Sequence, residues 1–263
     1  MPKFFSKLTF YLLVNTFLIV SLSACSFLIS QDDAEARVVK NNIDLALGYL
    51  KRGQYKISNL RITRALDADW ENSEAHTVAA LLAEKQHFIE KAEEHYQYAI
   101  EFQPDDGSVL NNYGVFLCRQ GKPGKAVALF LEAVNIPGYV TPNEAYENAG
   151  ACSRQIPDLE NAEKYLRLAL SGNPKLPNAL YEMAQISYGQ KKNLSVRAYL
   201  QRFEAVATHT PQSLWLGVRA EKILGDRKAS AAYAKKLQRL FPNSEEFTKL
   251  LALPEDKTSR TGS

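Results

Sequence analysis

The sequence predicts an all-α protein built from about six similar pairs of helices. Small residues recur at a spacing of 34 residues, and prolines recur at about twice that spacing. Between them, apolar residues follow one another at intervals of three and four, which is typical of amphipathic helices. The residues that mark the period are Ala65, Ala99, Ala133, Pro104, Pro174 and Pro242. A repeat of this length is typical of a solenoid, in which each helix pair buries its apolar face only against its neighbours.

The N-terminal segment precedes the repeats and has the pattern of a bacterial lipoprotein signal peptide. Lys3 and Lys7 are followed by an apolar run over residues 8–22, which is too short for a comfortable membrane span. The residues Leu22-Ser23-Ala24-Cys25 have the form of a lipobox. We therefore predict a signal peptide at 1–24 and lipidation of Cys25. In the alternative interpretation, this segment is an uncleaved anchor helix and Cys25 is only an apolar residue.

A lipidated tether is expected over residues 25–38. Several acyl chains on Cys25 would attach the protein to a membrane without any segment spanning it. In enterobacterial lipoproteins an Asp directly after the cysteine favours retention in the inner membrane, and Ser26 stands there instead. The expected location is thus the periplasmic face of the outer membrane.

The repeats match the tetratricopeptide pattern, so the predicted fold is a right-handed superhelical solenoid of tetratricopeptide-like helix pairs. The third unit is the clearest copy, with Gly114, Gly121, Ala126, Phe130 and Ala133 at pattern positions. The fifth unit is expected to slip after Lys192, with its Ala198-Tyr-Leu segment about two places late in the repeat pattern. The predicted units are 39–72, 73–106, 107–140, 143–176, 177–210 and 211–244, with capping residues at 245–253 and a disordered tail at 254–263.

The sequence carries no pattern that indicates catalysis. Its four histidines have no zinc-ligand spacing, and each is interpreted as a surface or packing residue. Removal of residues 1–24 takes away two lysines and no acid, so the net charge falls from +3 to about +1. That balance does not suggest a nucleic-acid partner. We expect no enzymatic activity, metal, cofactor or small-molecule substrate.

Cys118 and Cys152 are 34 residues apart and fall on the first helices of the third and fourth units. Neighbouring repeats would bring them within bridging range, and an oxidising periplasm favours a disulfide. The alternative is a pair of buried thiols.

The first helices of the repeats are expected to form a concave surface that binds a partner. Its apolar side chains concentrate in the first unit. The alternative is that the tether at 26–38 folds back and covers this surface. The candidate groove residues are Lys40, Ile43, Leu47, Leu50, Leu81, Asn111 and Val115.

Several segments resemble one particular family of lipoproteins. They include Leu110-Asn-Asn-Tyr-Gly114, Phe116-Leu-Cys118, Ala198-Tyr-Leu-Gln-Arg-Phe203, Ser213-Leu-Trp-Leu-Gly217 and Arg239-Leu-Phe-Pro-Asn-Ser-Glu-Glu246. Together with the lipobox and the repeats, they resemble the type IV pilus biogenesis/stability lipoproteins, the pilotins of the PilF/PilW type. The resemblance implies a partner, the pilus secretin, which the protein would help to reach the outer membrane and to multimerise. Pilus extension and twitching motility would depend on it indirectly. A lipid-anchored scaffold for another envelope machine, in cell-wall synthesis or secretion, is the alternative.

Overall fold

The computed structural model describes residues 34–156 and 158–253, and all of its regular secondary structure there is helical. The chain divides into two compact units, one ending at Asp105 and the other beginning at Asp106. The predicted all-α fold of tetratricopeptide-like helix pairs is confirmed.

The first unit contains two helix pairs in its described part. The helices are α1 (34–51), α2 (Tyr55–Ala68), α3 (Ser73–Lys85) and α4 (Ile89–Phe102). The helix α1 begins within the segment predicted as a tether, so residues 34–38 are helical. Ala34-Glu-Ala-Arg37 contains good helix formers and no breaker, which explains the early start.

The second unit contains four helix pairs and a short final helix in its described part. Its helices are α5 (Gly107–Arg119), α6 (Pro123–Asn135), α7 (Pro142–Ser153), α8 (Leu159–Gly172), α9 (Pro177–Gly189), α10 (Asn193–Glu204), α11 (Pro211–Leu224), α12 (Arg227–Leu240) and α13 (Glu245–Leu251). The last helix lies within the predicted cap at 245–253 and packs against α11 and α12.

The same positions are buried in repeat after repeat. In the third repeat (107–140), a Cβ atom added to Gly114 would lie 2.6 Å from the Phe130 ring, so only glycine permits this close approach of α5 to α6. In the fourth repeat (143–176) the corresponding pair is Gly150 and Leu166, and a Cβ atom added to Gly150 would lie 2.6 Å from the Leu166 side chain. These two glycines are 36 residues apart, because residues 141–142 lie between the two repeats, and both mark where the first helix of a pair meets the second.

The fifth repeat (177–210) keeps this register, so the predicted slip after Lys192 is wrong. Val196, Leu200 and Phe203 are buried at the places that Ala126, Phe130 and Ala133 occupy in the third repeat. The prediction failed because it took Ala198 as the repeat alanine, whereas Ala198 is exposed and the larger Val196 fills the buried place.

The turn inside most repeats needs one residue in the left-handed region of backbone conformation. Glycine supplies it at Gly53, Gly121 and Gly225. At the equivalent places, His87 and Lys191 adopt φ values of 63° and 59°. This backbone conformation is unfavourable for residues that carry a Cβ atom, as His87 and Lys191 do.

Candidate protein-interaction sites

Cys25, the predicted lipidation site, lies outside the described residues. Within 34–156 and 158–253, no helix is long and apolar enough to cross a membrane.

Cys118 on α5 and Cys152 on α7 lie together, with their Cα atoms 6.0 Å apart and their sulfur atoms at bonding distance. That Cα separation is typical of disulfides. Cys152 is buried, and the Gln155 side chain donates a hydrogen bond of 3.2 Å to the Cys118 sulfur. The structure therefore brings the predicted pair together, as the repeat geometry implied.

The predicted groove of the first unit requires a correction at Ile43 and Leu50. Their side chains are only 1% and 9% exposed, so they offer almost no surface to a partner. Both belong to the core of the unit, together with Val39 and Ala46 of the same helix. These four residues follow one another at intervals of three and four, and helical geometry places such a stripe on one buried face.

The other groove residues of the first unit are at least partly accessible. Leu47 and Leu81 are half-buried against the core. Lys40 is exposed, and its ammonium group lies 3.0 Å from Glu74 and 3.2 Å from Asp44. This face of the unit is therefore more polar than the sequence suggested.

In the second unit, Asn111 and Val115 are half-buried on α5. Asn111 accepts a hydrogen bond of 3.0 Å from Asn148 on α7, which ties the first helices of two successive repeats. Arg154 pairs with Glu182 and donates a hydrogen bond of 3.1 Å to Gln185, which extends the same kind of contact from α7 to α9. Much of the polar capacity of this surface is thus used within the protein.

A cleft in the first unit was missed by the sequence reasoning. It has a volume of about 640 Å³, with walls formed by α2 and α4 and a floor formed by α3. Trp70 and Phe88 stand at its edge and are 53% and 56% exposed. The floor consists of Ala79, Leu82 and Ala83, whose small and aliphatic side chains make it apolar. The sequence offered one signal for this cleft, which is the presence of the aromatic residues Trp70 and Phe88 in the turns between helices.

His95 lines the cleft from α4, and its ring contacts His76, which is buried on α3. The Nε2 atom of His76 lies 2.8 Å from the Trp70 carbonyl oxygen and donates to it, which leaves Nδ1 of His76 to accept from Nδ1 of His95 at 3.0 Å. Burial lowers the pKa of His76, and burial together with the neighbouring His76 lowers the pKa of His95 to about 4. Both rings are therefore neutral at pH 7.

The His76 ring also packs against three aromatic side chains. Its centroid lies 4.9 Å from that of Trp70, 5.2 Å from Tyr98 and 5.5 Å from Phe102. His76 is fully buried, as the packing interpretation of the histidines predicted. No group of three or more His, Cys, Asp or Glu side chains in the described ranges could hold a metal ion. The ring contact and the hydrogen bond from His76 hold Trp70 in place, so its side chain can pack against a bound partner.

These features define a tetratricopeptide repeat protein, a scaffold that binds other proteins. A tetratricopeptide repeat family model matches residues 95–128. The type IV pilus assembly protein PilF of Pseudomonas aeruginosa is 31% identical over 210 residues, which are 80% of this chain and 83% of that protein. The chain belongs to the PilF family, as its sequence motifs predicted, and it is not an enzyme.

Solved structures of this family agree with the fold. The structure of Pseudomonas aeruginosa PilF matches with a TM-score of 0.78 and 30% identity, over 83% of this chain and 99% of that one. The structure of PilW, described as a widely conserved type IV pilus biogenesis factor, matches with a TM-score of 0.75 and 31% identity, over 81% and 98%. An uncharacterised protein of Haemophilus influenzae is 34% identical over 134 residues, which are 51% of this chain and 72% of that protein.

Proposed function

We propose that this protein acts in type IV pilus biogenesis as a pilotin. It binds the pilus secretin at the periplasmic face of the outer membrane and promotes its localisation and multimerisation. The observation that supports this function is the 31% identity to a type IV pilus assembly protein over most of both chains. A repeat scaffold acts by holding a partner, so its role depends on a binding surface and on where it is attached.

The attachment is a lipid on Cys25. The lipobox at residues 22–25 supports this assignment, as does the basic and apolar segment before it. Several acyl chains would hold the protein at the membrane permanently, whereas a single chain binds only reversibly.

The cleft between α2 and α4 is the surface to which we assign the secretin. Trp70 and Phe88 are large aromatic side chains that remain about half exposed, and such residues often dominate the binding energy of protein interfaces. The apolar floor can accept an aliphatic or aromatic side chain of the partner. Lys56, Asp67, Lys91 and Glu94 line the same cleft and can bind the partner's backbone and charged groups.

Deletion of the gene tests the function directly. We expect loss of secretin multimers and of surface pili, while secretin monomers are still made. A Cys25→Ser variant should leave the repeat fold intact and reduce the fraction of secretin in the outer membrane, as measured by fractionation. Normal secretin multimers in the deletion strain would refute the pilotin assignment.

A Phe88→Ser variant tests the cleft. Phe88 is the N-cap residue of α4 and makes no side-chain capping bond, so serine can cap this helix while the aromatic contact is removed. Affinity for the purified secretin should fall by at least about fivefold, as expected for the loss of an aromatic interface residue. Leu194→Ser is the matched control, because Leu194 is 67% exposed in the second unit. Equal affinities for the two variants, both folded, would exclude the cleft.

A further inference from the structure

The flank of α2 that faces away from the cleft combines positive charge with exposed aliphatic side chains. Between residues 51 and 66 the chain has five basic residues and no acidic one. Ile57 and Leu60 lie among them and are 41% and 50% exposed. The basic residues are Lys51, Arg52, Lys56, Arg61 and Arg64.

No carboxylate in the described ranges 34–156 and 158–253 neutralises these cations. In the described part of the chain, none of the five pairs with a carboxylate, although Arg52 stacks on the Tyr49 ring at 4.7 Å. The Nε atom of Arg61 is buried without a hydrogen-bond partner. Neighbouring Lys40, by contrast, pairs with two acids. Among the described residues, the α2 flank therefore has no carboxylate counter-ion.

Helical geometry separates this flank from both other faces of α2. Ser58, Ile62 and Ala65 face the core, and successive residues turn by about 100°. Ile57, Leu60, Arg61 and Arg64 then lie on one side of that core face. The cleft residues Asn59, Thr63, Leu66 and Asp67 lie on the other side. We call the first set, together with Lys51 and Arg52, the basic flank; Lys56 lines the cleft and is not part of it.

The outer side of the first repeat would be polar in an ordinary solenoid, because a terminal unit has no neighbour to cover apolar residues. Exposed aliphatic side chains interleaved with cations on a helix are instead typical of surfaces that lie on anionic membranes. Each basic residue near such a surface adds to the attraction, and shallow insertion of Ile57 and Leu60 would add a contribution that salt does not screen.

We propose that the basic flank binds a lipid surface that contains anionic phospholipids and so orients the first unit against the membrane. This inference rests on the proposed lipid anchor at Cys25. Eight residues separate Cys25 from the start of α1, and fully extended they reach at most about 29 Å. That reach is close to the length of α1, which has 18 residues and so measures about 27 Å. The basic flank can thus touch the membrane that holds the lipid.

The experiment uses the mature polypeptide from Ser26 to Ser263 without its lipid, because this chain contains every described residue. Sedimentation should show binding to phosphatidylcholine vesicles that contain phosphatidylglycerol and much weaker binding to phosphatidylcholine alone. A K51E/R64E variant should bind the anionic vesicles at least about tenfold more weakly. Ile57→Ser together with Leu60→Ser should also weaken binding, and should remove most of the part that persists at high ionic strength.

The helix α12 supplies a matched control. It also carries five basic residues and no acid, but Lys236 is paired with Glu204, and Leu240 is its one large aliphatic side chain exposed by more than half. A K228E/K235E variant makes the same charge change there and should alter vesicle binding by less than about twofold. Thermal unfolding checks that each variant is folded.

Two results would overturn the proposal: no preference for anionic vesicles, or equal losses from the basic-flank and α12 variants. Loss of secretin capture or a change of oligomeric state in K51E/R64E, with vesicle binding unchanged, would assign the flank to a protein partner and also overturn it. Vesicle binding needs no secretin, so its failure is distinct from a failure of the pilotin assignment, which the deletion strain reports.

Discussion

Reduction of the Cys118–Cys152 pair is expected to lower the stability of the second unit substantially. The two cysteines are separated by 34 residues, and closing a loop of that length lowers the entropy of the unfolded chain. The corresponding stabilisation is about 3–4 kcal/mol. The Cα separation of 6.0 Å lies within the ordinary range for disulfides, so geometry does not subtract much from this value.

The measurement is urea unfolding of the mature polypeptide from Ser26 to Ser263, with and without a reductant that leaves other residues unchanged. This polypeptide lacks Cys25 and retains only the two cysteines in question. Without reductant the free energy of unfolding should be higher by about 3–4 kcal/mol. A C118A/C152A variant is the control, and its stability should match that of the reduced chain to within about 1 kcal/mol and should not respond to reductant.

Two outcomes would refute the reasoning. One is equal unfolding free energies with and without reductant. The other is titration of two free thiols in the unfolded chain that was never exposed to reductant. Either result would favour the alternative of two buried thiols.

Three further predictions follow from backbone and side-chain geometry. Lys191→Gly should stabilise the fold by about 0.5–1 kcal/mol, because φ is 59° there; a lower melting temperature would contradict this. Lys122→Asp should add about 1 kcal/mol, because Lys122 is the N-cap of α6 without a side-chain capping bond, whereas Asp226 caps α12 at the equivalent place; unchanged urea unfolding would count against it. The lowered pKa of His95, about 4 in the folded state against 6.5 in the unfolded state, means that the unfolded chain binds more protons as pH falls through this window. Stability should therefore fall from about pH 6.5 to pH 4, by up to about 3 kcal/mol, and the loss should be smaller in His95→Gln; parallel pH profiles for the two proteins would exclude this cause.

The fold could be predicted from the sequence because the tetratricopeptide pattern repeats its most restrictive contact. Where two helices of a pair approach closely, only small residues fit, so Gly114 and Gly150 mark the contact in the sequence itself. The prediction failed where a unit satisfies the same contact with another residue type. Val196 fills a buried place usually held by alanine, and the search for alanine led to the exposed Ala198.

The groove was predicted less well because it was assigned from the geometry of an average repeat. Ile43 and Leu50 occupy positions that are exposed in a regular unit, but they are core residues in this one. The stripe of Val39, Ile43, Ala46 and Leu50 was already present in the sequence, and its helical spacing would have indicated burial. Local periodicity is therefore a better guide to exposure here than the position number within the repeat.

The cleft could not be predicted because its walls and floor come from three helices. Trp70 and Phe88 lie in turns, where sequence patterns do not specify which helix they will face. The His76–His95 contact joins residues on α3 and α4, and neither histidine has a spacing that suggests the pair. A local pattern specifies the helices, whereas such contacts depend on how the helices pack.

The helix α2 carries both proposed surfaces, and this arrangement has a consequence for the pilotin function. Asn59 and Thr63 face the cleft, while Ile57 and Arg64 lie on the opposite flank. A secretin segment in the cleft would then be held beside the membrane surface that the flank touches. Confinement of this kind raises the effective concentration of bound subunits at the membrane without any additional contact between them. Phe88→Ser should lower secretin affinity and leave vesicle binding unchanged, whereas K51E/R64E should lower vesicle binding. If multimerisation depends on confinement, either variant slows it, because each removes one of the two attachments that bring secretin subunits together.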